Sequence, residues 1–357
     1  MSRFLAPQIA ALTPYTPGEQ PIERKYIKLN TNECPYPPSP AAAEAIAAFS
    51  AEQLRLYPDP TASALKSVAA QAAGVDLASV FIGGGSDEVL AYAFMAFCPR
   101  NGEVCFPDIT YGFYRVYAEL FELRPMLVPL GDDFRIRMRD YADIRAPVFL
   151  ANPNAPTGLC LSLSDIETLL CQNRNRLLIV DEAYMDFASE QSCRALIAEY
   201  DNLLIVQTAS KSWALAGLRL GFGYGNPALI AGLERIKFSF NPYNLDRITL
   251  SVAQAVLMDR AYTAGIVSRV IDTREFVIRE MLKMGFEVLP SQANFLMARH
   301  PCIAGHTLYI RIKENGILVR HFTQPRISDY IRVSIGSENE MSAFLTVCRT
   351  ILEEVQP

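Results

Sequence analysis

Short apolar runs recur between about residues 60 and 250: VFIGG (80–84), EVCFP (103–107), MLVPL (126–130), PVFLANP (147–153), LLIVDE (177–182), LLIVQT (203–208) and RLGFGYG (219–225). They lie roughly 20 to 30 residues apart, with helical patterning between them. That alternation is the signature of βαβ units, whose strands are apolar throughout because both faces are covered. It predicts an α/β fold with a mostly parallel sheet covered by helices.

After a helical stretch at about 248–284 the grammar changes. GFEVLPSQANFLMAR (285–299), GILVRHF (316–322) and DYIRVSIG (329–336) are closely spaced strands, followed by a helix over 337–354. This predicts a smaller α+β domain. At the other end, YTPGEQP (15–21) and NTNECPYPPSP (30–40) are proline-rich breaker clusters that read as an extended arm. The alanine-rich stretch over 39–54 is expected to be helical. The predicted division is an arm with the start of the small domain (1–45), a large domain (46–250) and a small C-terminal domain (251–357), the arm packing with the small domain.

Composition narrows the function classes. At 357 residues the chain exceeds the usual single-core size, so two domains are expected. Half of the residues are hydrophobic and 20% charged, ordinary for a soluble globular protein. A net charge of −5 argues against a nucleic-acid surface. No apolar stretch is long enough to span a bilayer, and the opening residues MSRFLAPQIAALTPY lack a signal-peptide core, so a cytoplasmic enzyme without a membrane partner is expected. The eight cysteines form no C-x-x-C pair and are expected to be reduced and mostly buried. His300, His306 and His321 are too few and too clustered for a metal site or a Ser/His/Asp triad, so no metal is expected.

Candidate chemistry concentrates at the strand ends. TASKSWALAGLR (208–219) puts Lys211 among Thr208, Ser210 and Arg219. Desolvation at a strand end favours a neutral lysine amine, which can form a Schiff base, and hydroxyls with a guanidinium suit a phosphate-bearing aldehyde cofactor. A salt-bridged sheet end is the plainer alternative. LLIVDEAYMDF (177–187) ends a strand in Asp181, with Tyr184 three residues on. A carboxylate at that depth needs a cation or several donors, and a pyridinium nitrogen is one such cation. A helix cap or a metal ligand are the other readings of Asp181. FIGGGSDEVLAYAF places Gly85, Ser86 and Asp87 at a strand-to-helix turn whose free N–H groups can bind phosphate, unless the turn is only a tight connection. Glu88 in the last position disfavours the dinucleotide fingerprint. Tyr111 lies just beyond a strand end, where its ring could stack on a planar cofactor or simply fill core.

Taken in order, the glycine turn, the aromatic, N-P-x-x-P-T-G, D-x-x-Y, S-K and a trailing arginine resemble a fold-type I pyridoxal-phosphate aminotransferase. The closer resemblance, from about Tyr15 to Gly336, is to histidinol-phosphate aminotransferases. It is carried by LNTNECPYPPSP, LYPDP (56–60), GGSDE, ANPNAPTG (151–158), VDEAY, TASKSWALAGLRLGF, PSQANF, GILVR and YIRVSIG.

That resemblance implies pyridoxal 5'-phosphate as cofactor and a homodimer acting on small molecules, an amino donor and a 2-oxo acid. It makes Lys211 the Schiff-base lysine, Asp181 the partner of the ring nitrogen and Tyr184 the donor to the ring 3-oxygen. Tyr111 stacks on the ring. The phosphate is held by the turn at Gly85, Ser86 and Asp87 with Thr208, Ser210 and Arg219, and by Tyr57 of the neighbouring subunit. Asn154 is the asparagine left near the ring oxygen. Arg332 is implied for the substrate carboxylate, Arg320 and Tyr15 for a phosphate ester. The family pattern N-P-N-N-P-T-G appears as NPNAPTG, so Ala155 stands where a ring-oxygen donor is usual; Cys34 and Gly84 also replace frequent asparagines. The competing readings are an aromatic amino-acid aminotransferase, a threonine-phosphate decarboxylase-like enzyme, or a non-catalytic ligand sensor.

Overall fold

The computed structural model describes residues 2–21 and 24–355; residues 1, 22, 23, 356 and 357, which fall within the expected arm and C-terminal domain, lie outside the described residues. Thirteen strands are described: β1 (Ile27–Lys28), β2 (Val80–Gly83), β3 (Glu103–Pro107), β4 (Arg124–Val128), β5 (Val148–Ala151), β6 (Leu178–Asp181), β7 (Leu203–Thr208), β8 (Gly221–Gly225), β9 (Glu287–Val288), β10 (Phe295–Arg299), β11 (Ile317–Leu318), β12 (Arg320–His321) and β13 (Ile331–Ser334).

The large sheet has the order β2-β8-β7-β6-β5-β3-β4. The contacts among β3 to β7 are parallel, and β8 runs antiparallel to both of its neighbours. Alternate residues of the central strands feed cores on opposite faces. Leu178, Val180, Leu203 and Ile205 pack in one, and Ile179, Leu204 and Val206 in the other. Each such side chain contributes about 1.5–3 kcal/mol by leaving water. The edge strand β4 starts at Arg124, earlier than the apolar run suggests, and includes Pro125. An edge position tolerates the missing N–H donor.

Register fixes where the strand ends fall. Ala151 pairs with Asp181 and Asp181 with Val206. Thr208 pairs with Gly221, and Gly221 with Gly83. Ala151, Asp181, Thr208, Gly221 and Gly83 therefore line one edge of the sheet, the carboxyl edge where open α/β folds place ligands.

The second sheet, β12-β13-β10-β9, is antiparallel. It packs with the long helix Arg260–Lys283 and the C-terminal helix in a separate core containing Val277, Leu296, Val333 and Phe344. The expected helical stretch at 248–284 is two helices. Asp259 ends the first and caps the second, accepting from the Tyr262 N–H at 3.3 Å. The alanine-rich stretch is helical only over Pro40–Ala48; Phe49 and Ser50 are extended, and a 3-10 turn follows at Ala51–Arg55. That helix buries only Ala42, so packing does little to extend it. Cys98, Cys105, Cys193 and Cys348 are buried, whereas Cys34 and Cys160 are half-buried and Cys171 and Cys302 exposed. The cysteines are thus less uniformly interior than their apolar character suggests.

The N-terminal segment joins the second unit through backbone bonds. β1 runs parallel to β11, the Leu29 N–H donates to Leu318 O at 2.8 Å, and the Ser334 N–H donates to Leu29 O at 2.9 Å. Residues 30–32 are thereby laid across the carboxyl edge of the large sheet.

Candidate active site

A cavity of about 600 Å³ opens at that edge, between the sheet, the arm and the second unit. Lys211, Asp181, Tyr184, Ser86, Asp87, Tyr111, Thr208, Ser210 and Arg219 line it, together with Tyr15, Arg320 and Arg332.

Lys211 sits in the turn after β7, half-buried, and its Nζ donates to Thr31 O at 3.3 Å. Asp181 ends β6 and is 5% exposed. Burial pushes its carboxyl up to about 7, opposed by the Tyr114 hydroxyl and the Ala183 N–H, which donate to Oδ2 and Oδ1, each at 3.1 Å. Among the described residues no cationic side chain pairs with it. A buried carboxylate with two donors and no counter-ion calls for a cation in the cavity. Burial, and then Asp181, push the Tyr114 hydroxyl far above its ordinary range, so it stays a donor.

Another part of the wall is rich in hydroxyls and carries one guanidinium. The helix Gly85–Phe97 starts at this edge with Ser86 and Asp87 in its first turn. Asp87 accepts from Tyr111 Oη at 2.8 Å and pairs with Arg219 Nη2 at 3.1 Å. Ser210 Oγ lies 2.9 Å from Thr208 Oγ1 and 3.5 Å from Arg219 Nη1. Helix N–H groups, two hydroxyls and a guanidinium form an anion cradle.

Two glycines make this packing possible. A Cβ on Gly85, where φ is +87°, would lie 2.8 Å from Arg219 Nη2, and one on Gly221 would lie 2.2 Å from the Gly85 carbonyl carbon. Gly85 does not itself line the cavity; it clears room for Arg219.

Arg320 and Arg332 face each other directly across β12 and β13. Burial lowers the Arg332 pKa, the fields of Tyr184 and Tyr15 work against it, and the like charge of Arg320 across the strands adds a smaller push in the same direction as burial. Arg332 Nη2 donates to Asn30 O at 3.0 Å, while its Nε is buried without a hydrogen-bond partner among the described residues. Arg320 donates to Thr16 O and Pro17 O, both at 3.2 Å, tying the arm over the opening, where Tyr15 packs on Phe113 at 4.5 Å. A guanidinium pair of this kind suits an anion with two charges or two oxygens.

Besides Gly85, two expected residues lie outside the cavity lining. Asn154 sits behind the cavity wall: its amide donates to Ile109 O and Thr157 Oγ1 and accepts from Thr110 Oγ1, which uses it up in shaping the loop. Tyr57 is 77% exposed, stacks on Tyr243 at 4.6 Å and does not line its own chain's cavity. Conversely, Tyr114 and Asn32 reach Asp181 and Tyr184 without having been anticipated. Tyr111 precedes the helix Phe113–Leu120 and Tyr114 lies in its first turn, and the two rings meet edge to face at 5.6 Å.

Residues 24–347 match the family described as aminotransferase class I and II, which is the class this fold and cavity define. The chain is 46% identical over 353 residues to histidinol-phosphate aminotransferase of Brachyspira hyodysenteriae, covering 99% of this chain and 100% of that one. It is 49% identical over 354 residues to the Marinomonas sp. protein of the same name, covering 98% and 100%. The solved structure of the Sinorhizobium meliloti histidinol-phosphate aminotransferase in complex with pyridoxal-5'-phosphate is similar at TM-score 0.86 with 23% identity, covering 99% of both chains. The chain belongs to the histidinol-phosphate aminotransferase family within that class. Among the described residues no helix is long and apolar enough to cross a membrane, and no cluster of His, Cys, Asp and Glu could hold a metal ion.

Proposed function

We propose that this aminotransferase holds pyridoxal 5'-phosphate at Lys211 and moves an amino group from histidinol phosphate to 2-oxoglutarate, giving imidazole acetol phosphate and glutamate in histidine biosynthesis. The observation that carries the reading is the pairing, in one cavity, of an unneutralised buried Asp181 with a lysine and an anion cradle. Those groups fit the cofactor's chemistry: Asp181 matches a cationic ring nitrogen, and the helix-start turn at Ser86 and Asp87, with Thr208, Ser210 and Arg219, matches a phosphate.

Bound there, the cofactor supplies an aldehyde for the substrate amine and an electron sink for the carbanion at its α-carbon. Asp181, its oxygens oriented by Tyr114 and the Ala183 N–H, would hold the proton on the ring nitrogen. Tyr184 Oη would donate to the ring oxygen, and Tyr111 would cover the ring. Lys211 Nζ would hold the cofactor's aldehyde carbon in the absence of substrate and, once free, would take the substrate α-proton as general base and give it back at that aldehyde carbon as general acid. Arg332 and Arg320, opposed across β12 and β13, bind the phosphate ester of one substrate and the carboxylates of the other, so one pocket serves both half-reactions. Tyr15 and the arm exclude water from the opening.

The same reading includes a cytoplasmic homodimer. Tyr57 stacks on Tyr243 on a surface segment where Leu54 and Leu56 are also exposed, a surface that suits contact with a neighbouring subunit's cradle. It also retains the division into an arm (1–45), a large domain (46–250) and a small domain (251–357). The test is a coupled glutamate assay with histidinol phosphate, phenylalanine and phosphothreonine offered in turn. Preference for histidinol phosphate is expected; preference for phenylalanine would remove the roles of Arg320 and Tyr15.

A further inference from the structure

We infer that Asn32 is a positioning residue that fixes the direction of the Tyr184 hydroxyl proton, making up for the donor that Ala155 lacks. The inference rests on the placement of the cofactor proposed above.

Asn32 is 1% exposed and holds a left-handed backbone at φ 55°, a conformation asparagine tolerates better than most residues. Every polar group it carries is bonded. Its N–H donates to Ser334 Oγ at 2.8 Å, the Ser334 hydroxyl donates to its Oδ1 at 2.9 Å, its Nδ2 donates to Tyr184 Oη at 3.0 Å, and its carbonyl accepts from Asn294 Nδ2 at 3.0 Å.

The order of these bonds sets their polarity. Ser334 Oγ receives the Asn32 N–H, so its own proton goes to Asn32 Oδ1; it makes no other side-chain bond among the described residues. Turning the amide over would leave that buried proton without an acceptor, and would set a carbonyl oxygen against Tyr184. The amide nitrogen therefore faces Tyr184. Because Tyr184 Oη accepts from Asn32, its single proton remains for the cavity.

Position 155 gives no help. Ala155 lies in an apolar cluster with Ala293, Phe295 and the Tyr184 ring. Tyr184 is left as the donor on this side, and Asn32 is its bonded side-chain neighbour among the described residues.

A donor on the cofactor's ring oxygen stabilises that oxygen as an anion and loosens the proton it shares with Lys211 Nζ. Losing the donor raises the pH at which the bound chromophore changes colour. The test is an absorbance titration against pH of purified holoenzyme, with melting temperature recorded alongside. Asn32→Asp keeps the shape but presents an oxygen that takes the Tyr184 proton. Its midpoint is expected to rise by about one pH unit, a tenfold change in proton affinity. Tyr184→Phe should shift it similarly, the double variant no further than Tyr184→Phe alone, and Ala155→Asn should bring the Asn32→Asp midpoint back down. A shifted Tyr184→Phe with an unshifted Asn32→Asp, whatever its melting temperature, would overturn the inference. Should Asn32→Asp fail to fold, Ser334→Ala, which frees the amide to turn, is read by the same criteria. Wild-type protein with no visible band would overturn the cofactor reading itself, a failure seen before any variant is compared.

Discussion

Asp181 offers the sharpest energetic prediction. Burial holds its carboxyl at about 7 in the folded chain, against an ordinary 3.8. Between these values the folded state binds more protons than the unfolded one, so stability falls as pH rises. The gap of about 3 units, at about 1.4 kcal/mol per unit, sets a ceiling of roughly 4 kcal/mol on the loss by pH 8. Roughly 2.5 kcal/mol of that falls between pH 5 and 8 by the same relation. Asp181→Asn keeps the shape, cannot ionise and removes this slope. Any hydrogen bond it loses costs the same at both pH values and cancels. The assay is urea unfolding of cofactor-free wild type and variant at pH 5 and pH 8. The variant should gain about 2–3 kcal/mol on the wild type between the two, and saturating cofactor should reverse the gain, because a cation beside Asp181 favours its charged form. A wild-type-minus-variant difference independent of pH would refute the claim that this carboxyl is buried without a counter-ion.

Three further outcomes follow. Arg219→Ala removes the guanidinium between Asp87 and Ser210 and should weaken cofactor binding by about tenfold to a hundredfold, as charge-assisted bonds of about 1.5–3 kcal/mol imply, read by absorbance titration. Arg320→Ala should raise KM for histidinol phosphate by tenfold or more while changing that for phenylalanine little; equal effects on both would count against a phosphate-binding role. Tyr57→Ala, at a side chain 77% exposed, should leave the melting temperature of cofactor-free protein unchanged yet speed cofactor loss on dialysis, and unchanged retention would remove Tyr57 from the neighbouring site.

The large sheet was legible because its strands are apolar on both faces: LLIV before Asp181 and LLIV before Gln207 have no reading that leaves them in water. The two-residue strands β1 and β11 were not legible, since Ile27–Lys28 and Ile317–Leu318 are too short to show a period and form only through each other. Lys211, Asp181, Tyr184 and Arg219 stood out because their spacing from strand ends is local, and the sheet register brings such ends together. What stayed hidden depended on long-range geometry. Tyr114 is one of 16 tyrosines, and its bond to Asp181 spans 67 positions. Asn32 meets Ser334 across 302. Asn154 misled because its motif neighbour, Ala155, is the residue that faces the cavity, while its own amide serves the loop.

The most direct measurement reduces purified, yellow protein with borohydride, digests it and locates the added mass. The account predicts a pyridoxyl group on the peptide containing Lys211, bleaching of the colour, and neither in Lys211→Ala. Reduced holoprotein whose Lys211 peptide carries no added mass would contradict it.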